Sequence, residues 1–115
     1  MNFYEITFIL RQDVQPQEVD AKVAQFTNLI QDNGGAVIRQ ELWGLRSLAY
    51  EVRKNKKGHY VMLVVEASGD LVKELERNFK ISEDVIKFAT IRTPIADKNP
   101  SFIMQAKDEK EKRAN

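Results

Sequence analysis

Apolar and polar residues alternate along the first ten positions of the chain. The uniformly apolar or aromatic set consists of Tyr4, Ile6, Phe8 and Leu10. The opposite set mixes apolar and polar residues and consists of Phe3, Glu5, Thr7 and Ile9. A period of two predicts a strand with one face on a core. The mixed second face predicts the open side of a sheet that helices cover on one side only.

Two segments carry apolar residues at helical spacing. The first begins near Pro16, which suits the first turn of a helix, and ends at the glycine pair Gly34-Gly35. The second follows Ser68, a predicted N-cap, and extends for about three turns. The two apolar stripes predict core-facing helices and consist of Val19, Val23, Phe26 and Ile30, then Leu71, Val72, Leu75 and Phe79.

Three further strands complete the pattern, at 37–52, 59–66 and 85–92, and Pro94 closes the last of them. The element order is therefore βαββαβ. Right-handed crossovers place the first and third strands in the centre of one antiparallel sheet, with the second and fourth at its edges. This predicts an α+β, ferredoxin-like fold with a four-stranded antiparallel sheet and two helices on one face.

The pattern dissolves after about residue 95. A short apolar island, Phe102 to Met104, is followed by mixed charge with no buried face. We therefore expect a folded domain over residues 1–95 and a flexible charged tail over residues 96–115.

Composition narrows the functional classes. The chain has 115 residues, no cysteine and one histidine, which excludes disulfides and a multi-histidine metal site. No cofactor is expected. No apolar run approaches the ~18 residues of a membrane span, and MNFYEITFIL lacks the basic start of a signal peptide. We expect a cytoplasmic protein, or one in an organelle matrix of bacterial descent.

Positive charge is concentrated between Trp43 and Tyr60. This stretch holds five basic residues and one acid, whereas the whole chain is only +1. The segment 53–58, polar residues ending in Gly58, has the composition of a hairpin loop. A concentrated basic hairpin suggests a polyanion partner. Lysines that only solvate a loop and protect a sheet edge are the plainer interpretation.

Aromatic residues interleave with these cations and favour the first interpretation. RNA-binding proteins use planar side chains and cations together, for stacking and for phosphate contact. Trp43, Tyr50, His59 and Tyr60 provide the planar groups. Gly44 predicts a kink or bulge beside Trp43.

The same stretch resembles the signature of a known family. The residues Gly44-Leu45-Arg46, Leu48-Ala49-Tyr50, Val52, Lys54 and Gly58-x-Tyr60, with Tyr4-Glu5 before them, are similar to those of bacterial small-subunit ribosomal protein six. The order of elements fits this family from Met1 to about Pro94. Ser47, Glu51 and the pair Asn2-Phe3 depart from its usual pattern.

The resemblance implies a structural constituent of the small ribosomal subunit that performs no catalysis. It implies binding to the central domain of 16S ribosomal RNA, together with small-subunit ribosomal protein eighteen. The RNA-binding residues that it implies are Tyr4, Arg46, Arg53, Lys54, Lys56, Lys57, His59, Tyr60 and Arg92.

The second strand is a predicted edge with four crowded apolar residues, Leu42, Trp43, Leu45 and Leu48. Strand alternation cannot bury all four, so we expect at least one to face outward, unless a bulge at Gly44 buries them all. Trp43 is the expected anchor for a partner protein. The expected partner-binding residues are Glu41, Leu42, Trp43, Leu45 and Arg46.

Three other functions fit the element order. An acylphosphatase-like enzyme needs a glycine-rich phosphate loop, which residues 10–14 do not offer. An RNA recognition motif for single-stranded RNA is the main alternative, because Lys57-Gly58-His59-Tyr60 imitates its third strand. However, Ile9, Met62 and Val64 would occupy its stacking platform. A small-molecule sensing module has no specific residue in its favour.

Overall fold

A computed structural model describes residues 2–94 and contains the six predicted elements in the predicted order. They are β1 (Asn2–Arg11), α1 (Pro16–Asp32), β2 (Ala36–Val52), β3 (Asn55–Ala67), α2 (Gly69–Ile81) and β4 (Val85–Thr93). The strands form one antiparallel sheet in the order β2-β3-β1-β4. The predicted ferredoxin-like fold is confirmed, with β1 and β3 central. The tail predicted for residues 96–115 lies outside the described residues.

Local signals fix the helix ends as predicted. The Ser68 hydroxyl accepts a hydrogen bond of 3.2 Å from the amide of Leu71 and caps α2. Pro16 occupies the first turn of α1. At its end, Gly34 adopts a φ of +86°, a left-handed conformation that glycine accepts without strain.

The main core lies between the helices and one face of the sheet. The alternating β1 residues Ile6, Phe8 and Leu10 are fully buried there, as predicted. Phe8 meets Phe26 of α1 and Phe79 of α2, with ring centroids 5.2 and 5.0 Å away. Phe26 and Phe79 also contact each other, at 4.8 Å. These three rings join both helices to the sheet, since offset and edge contacts between rings add to the burial of their area.

The opposite face of the sheet is not open, contrary to the prediction. A second buried cluster consists of Ile9, Tyr60, Met62, Val64 and Ile86, and it is covered by Trp43, Leu48 and Val52 of the same chain. The long β2–β3 hairpin extends beyond β1 and curls back over this face. Burial of each such side chain is worth roughly 1.5–3 kcal/mol. Sequence alternation alone could not show this, because it does not reveal how far a strand bends.

The hairpin turn also differs from the predicted loop. Its turn residues are Arg53 and Lys54, with φ values of +47° and +66°, between paired residues Val52 and Asn55. Two successive positive φ values are those of a type I′ turn, whose twist matches that of the flanking strands. Lys56, Lys57 and Gly58 are therefore strand residues of β3, and β3 begins at Asn55, earlier than the predicted residue 59.

Gly58 is not part of the turn, and its lack of a side chain is needed for close packing. A β-carbon at Gly58 would lie 2.3 Å from Cγ2 of Ile9 and 3.1 Å from the carbonyl oxygen of Leu10. Only hydrogen fits at this distance, so Gly58 allows β3 to lie close to β1 where it pairs with Arg11.

We predict that Gly58→Ala lowers the free energy of unfolding by about 1–3 kcal/mol, because the new methyl group overpacks against Ile9 and the β1 backbone. Urea denaturation of the two proteins measures the difference.

Gly69→Ala is the matched control. The nearest atom to a β-carbon there is the Tyr4 hydroxyl at 3.9 Å, an ordinary contact, so its stability should change by only a few tenths of a kcal/mol. Equal stability of Gly58→Ala and Gly69→Ala would show that the close approach at Gly58 is not a constraint.

Candidate nucleic-acid interface

The tip of the hairpin carries a dense group of exposed cations. Arg53 and Lys54 form the turn, and Lys56 and Lys57 follow at the start of β3, all four solvent-exposed. We call these four residues the basic tip. Because a type I′ turn is compact, the four positive charges are concentrated at one corner of the domain.

Asn55 fixes the basic tip to the body of the domain. Its side chain is buried and accepts a hydrogen bond of 3.1 Å from the amide of Gln12. The amide group of Asn55 donates to the carbonyl oxygens of Val52 and Arg53, at 3.3 and 3.0 Å. The Gln12 side chain in turn accepts from the amide of Lys57, at 3.3 Å. Asn55 therefore holds the turn in shape and joins it to the loop after β1, a role that was not predicted.

A second contact closes the hairpin over the sheet. The Lys87 ammonium of β4 lies 3.1 Å from the Tyr50 hydroxyl and 5.0 Å from the centroid of its ring. β2 and β4 are the opposite edges of the sheet. The contact therefore shows that the curled hairpin reaches across the sheet face to β4. Lys87 was not among the predicted site residues. Its contact with Tyr50 joins residues 37 positions apart in the chain, which sequence spacing does not reveal.

Trp43 and Arg46 form a stacked pair on the side of β2 that meets the second cluster. The bulge predicted at Gly44 is confirmed by a register shift between Leu42 and Gly44 and by a φ of +81°. The bulge turns Trp43 onto the second cluster, and the Arg46 guanidinium lies 4.5 Å from its ring centroid. Trp43 is half-buried against this cluster, and its expected role as an anchor for a partner protein stays a prediction.

The remaining predicted RNA contacts do not gather in one place. Tyr60 is only 3% exposed in the second cluster, so its ring is not available to RNA in this fold. His59 is half-buried beside Leu45. Tyr4 and Arg92 are paired at the other end of β1, about 20 Å along the strand from Leu10.

Two of the four crowded apolar residues of β2 are exposed, where at least one was expected. Leu42 and Leu45 are 42% and 49% exposed on this edge strand. Charged residues flank them, with Glu41 before Leu42 and Arg46 after Leu45. Glu41 lies 3.5 Å from Arg39, and both are half-buried on the other side of the strand. The edge therefore presents two leucines, and the bulge at Gly44 separates them.

Residues 2–94 contain no cluster of three or more side chains that could hold a metal ion. Within the same range, no helix combines the length and the apolar character needed to span a bilayer. What the structure provides is a rigid domain with a basic tip at one corner and an apolar edge beside it. These features define the class of protein as a ferredoxin-like α+β domain with a cationic corner.

Comparison with known proteins gives the family. The model of the ribosomal protein S6 family matches residues 3–92. The small ribosomal subunit protein bS6 of Rickettsia prowazekii is 45% identical over 91% of this chain and 87% of its own length. The bS6 protein of Parvibaculum lavamentivorans is 47% identical over 93% of this chain and 69% of its own length.

Solved structures agree with the sequence relatives. The crystal structure of 30S ribosomal protein S6 from Thermotoga maritima has a TM-score of 0.75 and 25% identity, and it covers 96% of this chain and 97% of its own. The chain belongs to the ribosomal protein S6 family. It is therefore a protein of the small ribosomal subunit, located in the cytoplasm, and not an enzyme.

We predict that Asn55→Ala lowers the free energy of unfolding by about 1–3 kcal/mol, because it leaves the Gln12 amide and two turn carbonyls without their partner. Chemical denaturation measures the loss. The exposed Asn28→Ala of α1 is the control and should lie within about 0.5 kcal/mol of the parent. Equal stability of the two variants would mean that water can replace Asn55 as the hydrogen-bond partner of the Gln12 amide and the turn carbonyls.

Proposed function

We propose that the chain binds the central domain of 16S ribosomal RNA through its basic tip and that it does so jointly with small-subunit ribosomal protein eighteen. The observation that carries this proposal is the basic tip itself: four exposed cations on a turn that Asn55 and Gln12 hold in place. Membership of a small-subunit ribosomal family supports RNA as the polyanion.

Rigid presentation is the physical reason for this choice. A flexible lysine-rich loop would lose conformational freedom when it meets phosphates, and this loss would oppose binding. The type I′ turn and the Asn55 hydrogen bonds order the backbone before binding. Two further cations lie outside the basic tip. Arg46 is on β2 beside Trp43, and Lys87 is on β4 against Tyr50 of the hairpin.

Net charge supports a joint binding mode. The chain is only +1 overall, so its long-range attraction to RNA is small. The apolar residues exposed on β2, Leu42 and Leu45, give a second surface that suits a protein. A basic partner on this edge would supply the positive charge that the chain lacks. We include Glu41 and Arg46 as polar contacts of the same edge.

The alternative, an RNA recognition motif, is disfavoured by the second cluster. That class reads unstacked bases on the outer face of the sheet, through exposed aromatic rings. Here the curled hairpin covers the outer face, and Ile9, Met62 and Val64 are at most 2% exposed beneath it. A base could reach this face only if the hairpin lifted away.

We predict that replacing Lys54, Lys56 and Lys57 with alanine weakens binding of the protein pair to 16S RNA and flattens its salt dependence. Removing one phosphate contact lowers the slope of log affinity against log salt by about 0.9 for a duplex or about 0.7 for single strands. Filter binding over a salt series gives both quantities.

A matched control removes the same charge from the helix side. Lys73, Arg77 and Lys80 are exposed on α2, and their replacement with alanine should leave the slope unchanged. An equal effect of the two triple variants would show that net charge matters and that the basic tip does not bind RNA.

A further inference from the structure

The last residue of β1, Arg11, is held by the loop that precedes β4. The amide of Arg11 donates to the carbonyl oxygen of Asp84 at 2.9 Å, and its guanidinium Nη2 donates to the Oδ1 atom of Asp84 at 2.8 Å. The other carboxylate oxygen of Asp84 lies 3.4 Å from the ammonium of Lys22 in α1. The Asp84 side chain is only 23% exposed, and such charge-assisted hydrogen bonds are stronger than neutral ones. One carboxylate therefore joins the end of β1 to α1 and to the start of β4.

Arg11 leads directly into the residue that fastens the basic tip. Gln12 follows it in the chain and contacts the tip twice. Its amide donates to the Asn55 side chain at 3.1 Å, and its side-chain oxygen accepts from the amide of Lys57 at 3.3 Å. The hydrogen bonds thus continue from Asp84 through Arg11 and Gln12 to the basic tip. A binding site is held in its geometry by a supporting layer of this kind.

The charges of this network balance. Besides Arg11, Lys22 and Asp84 it includes Asp13, whose carboxylate lies 3.7 Å from the Nε atom of Arg11. Two cations and two anions sum to zero, so the network adds no attraction for RNA. The Asp84 carboxylate taken alone is a negative charge that repels phosphate. Any benefit of Asp84 to RNA binding must therefore come from the order that it imposes on the backbone.

We propose that Asp84 is a positioning residue for the basic tip: its carboxylate holds Arg11, and Arg11 fixes the loop whose Gln12 orders the hairpin turn before RNA binds. This role rests on the proposed function, because RNA is taken as the ligand of the basic tip. Loss of the carboxylate leaves the four cations of the tip in place but allows them more conformations. Ordering them again on binding costs free energy, so affinity falls although a negative charge has been removed.

The test compares Asp84→Ala with Glu83→Ala in the binding of the protein pair to 16S RNA over a salt series. Glu83 is the matched control, because it is an exposed carboxylate at the neighbouring position and its loss changes the net charge equally. We expect Asp84→Ala to weaken binding about three- to tenfold and Glu83→Ala to leave it unchanged or slightly stronger. The salt slope of Asp84→Ala should equal that of the parent, because no phosphate contact is lost. A difference in affinity of less than about twofold between the two variants would overturn the proposal.

Amide hydrogen exchange on the free chain gives a second readout that does not involve RNA. In Asp84→Ala the amides of Gln12 and Lys57 should exchange about tenfold faster than in the parent, while the centres of β1 and β3 keep their protection. Glu83→Ala should leave both amides unchanged. Asp84→Asn keeps a neutral oxygen that can accept from Arg11, so its effects should be intermediate. This variant replaces Asp84→Ala in both measurements if Asp84→Ala does not fold.

The two measurements separate the possible failures. If the parent pair does not bind 16S RNA, the proposed function fails, and exchange alone decides whether Asp84 orders the basic tip. Equally faster exchange throughout the domain would mean that Asp84 only stabilises the fold, and it would overturn the positioning role. Unchanged exchange at Gln12 and Lys57 would overturn it as well.

Discussion

The close approach of β3 to β1 at Gly58 is the constraint on which the rest of the structure depends. Gly58 pairs with Arg11 and lies so near to Ile9 and Leu10 that a β-carbon has no room. Beyond this point the hairpin bends over the outer face, and Trp43, Leu48 and Val52 cover the second cluster. Without this cover, the apolar residues of the second cluster would be solvent-exposed. The burial involved is of the order of the ~5–15 kcal/mol by which a domain is stable.

The path of the hairpin separates two surfaces of opposite character. It carries Arg53, Lys54 and their neighbours to one corner of the molecule, where Asn55 and Gln12 hold the turn. It leaves the middle of β2 outside the cover of α1, with Leu42 and Leu45 exposed beside acidic residues. In the proposed function, a nearly neutral protein presents the cationic surface to RNA and the apolar surface to a protein.

The sequence predicted the elements well because each rests on local signals. Alternation in β1, the stripe from Val19 to Ile30 and the caps at Ser68 and Gly34 depend on neighbours in the chain. The bulge at Gly44 was predicted for the same reason. The path of the hairpin depends instead on contacts between distant residues, such as Gly58 with Ile9 and Tyr50 with Lys87. The bend of the hairpin was therefore not predicted: it buries Tyr60, half-buries Trp43 and moves the turn to Arg53 and Lys54.

Native-state hydrogen exchange on the free chain tests most directly whether the basic tip is formed before RNA binds. The informative amides are those of Gln12 and Lys57, which donate to Asn55 and Gln12 and tie the tip to the domain. The account predicts that both exchange slowly, with opening free energies within about 1–2 kcal/mol of global unfolding. Exchange at the rate of an unstructured peptide, while β1 and β3 stay protected, would show that the basic tip is loose in the free protein and would contradict the account.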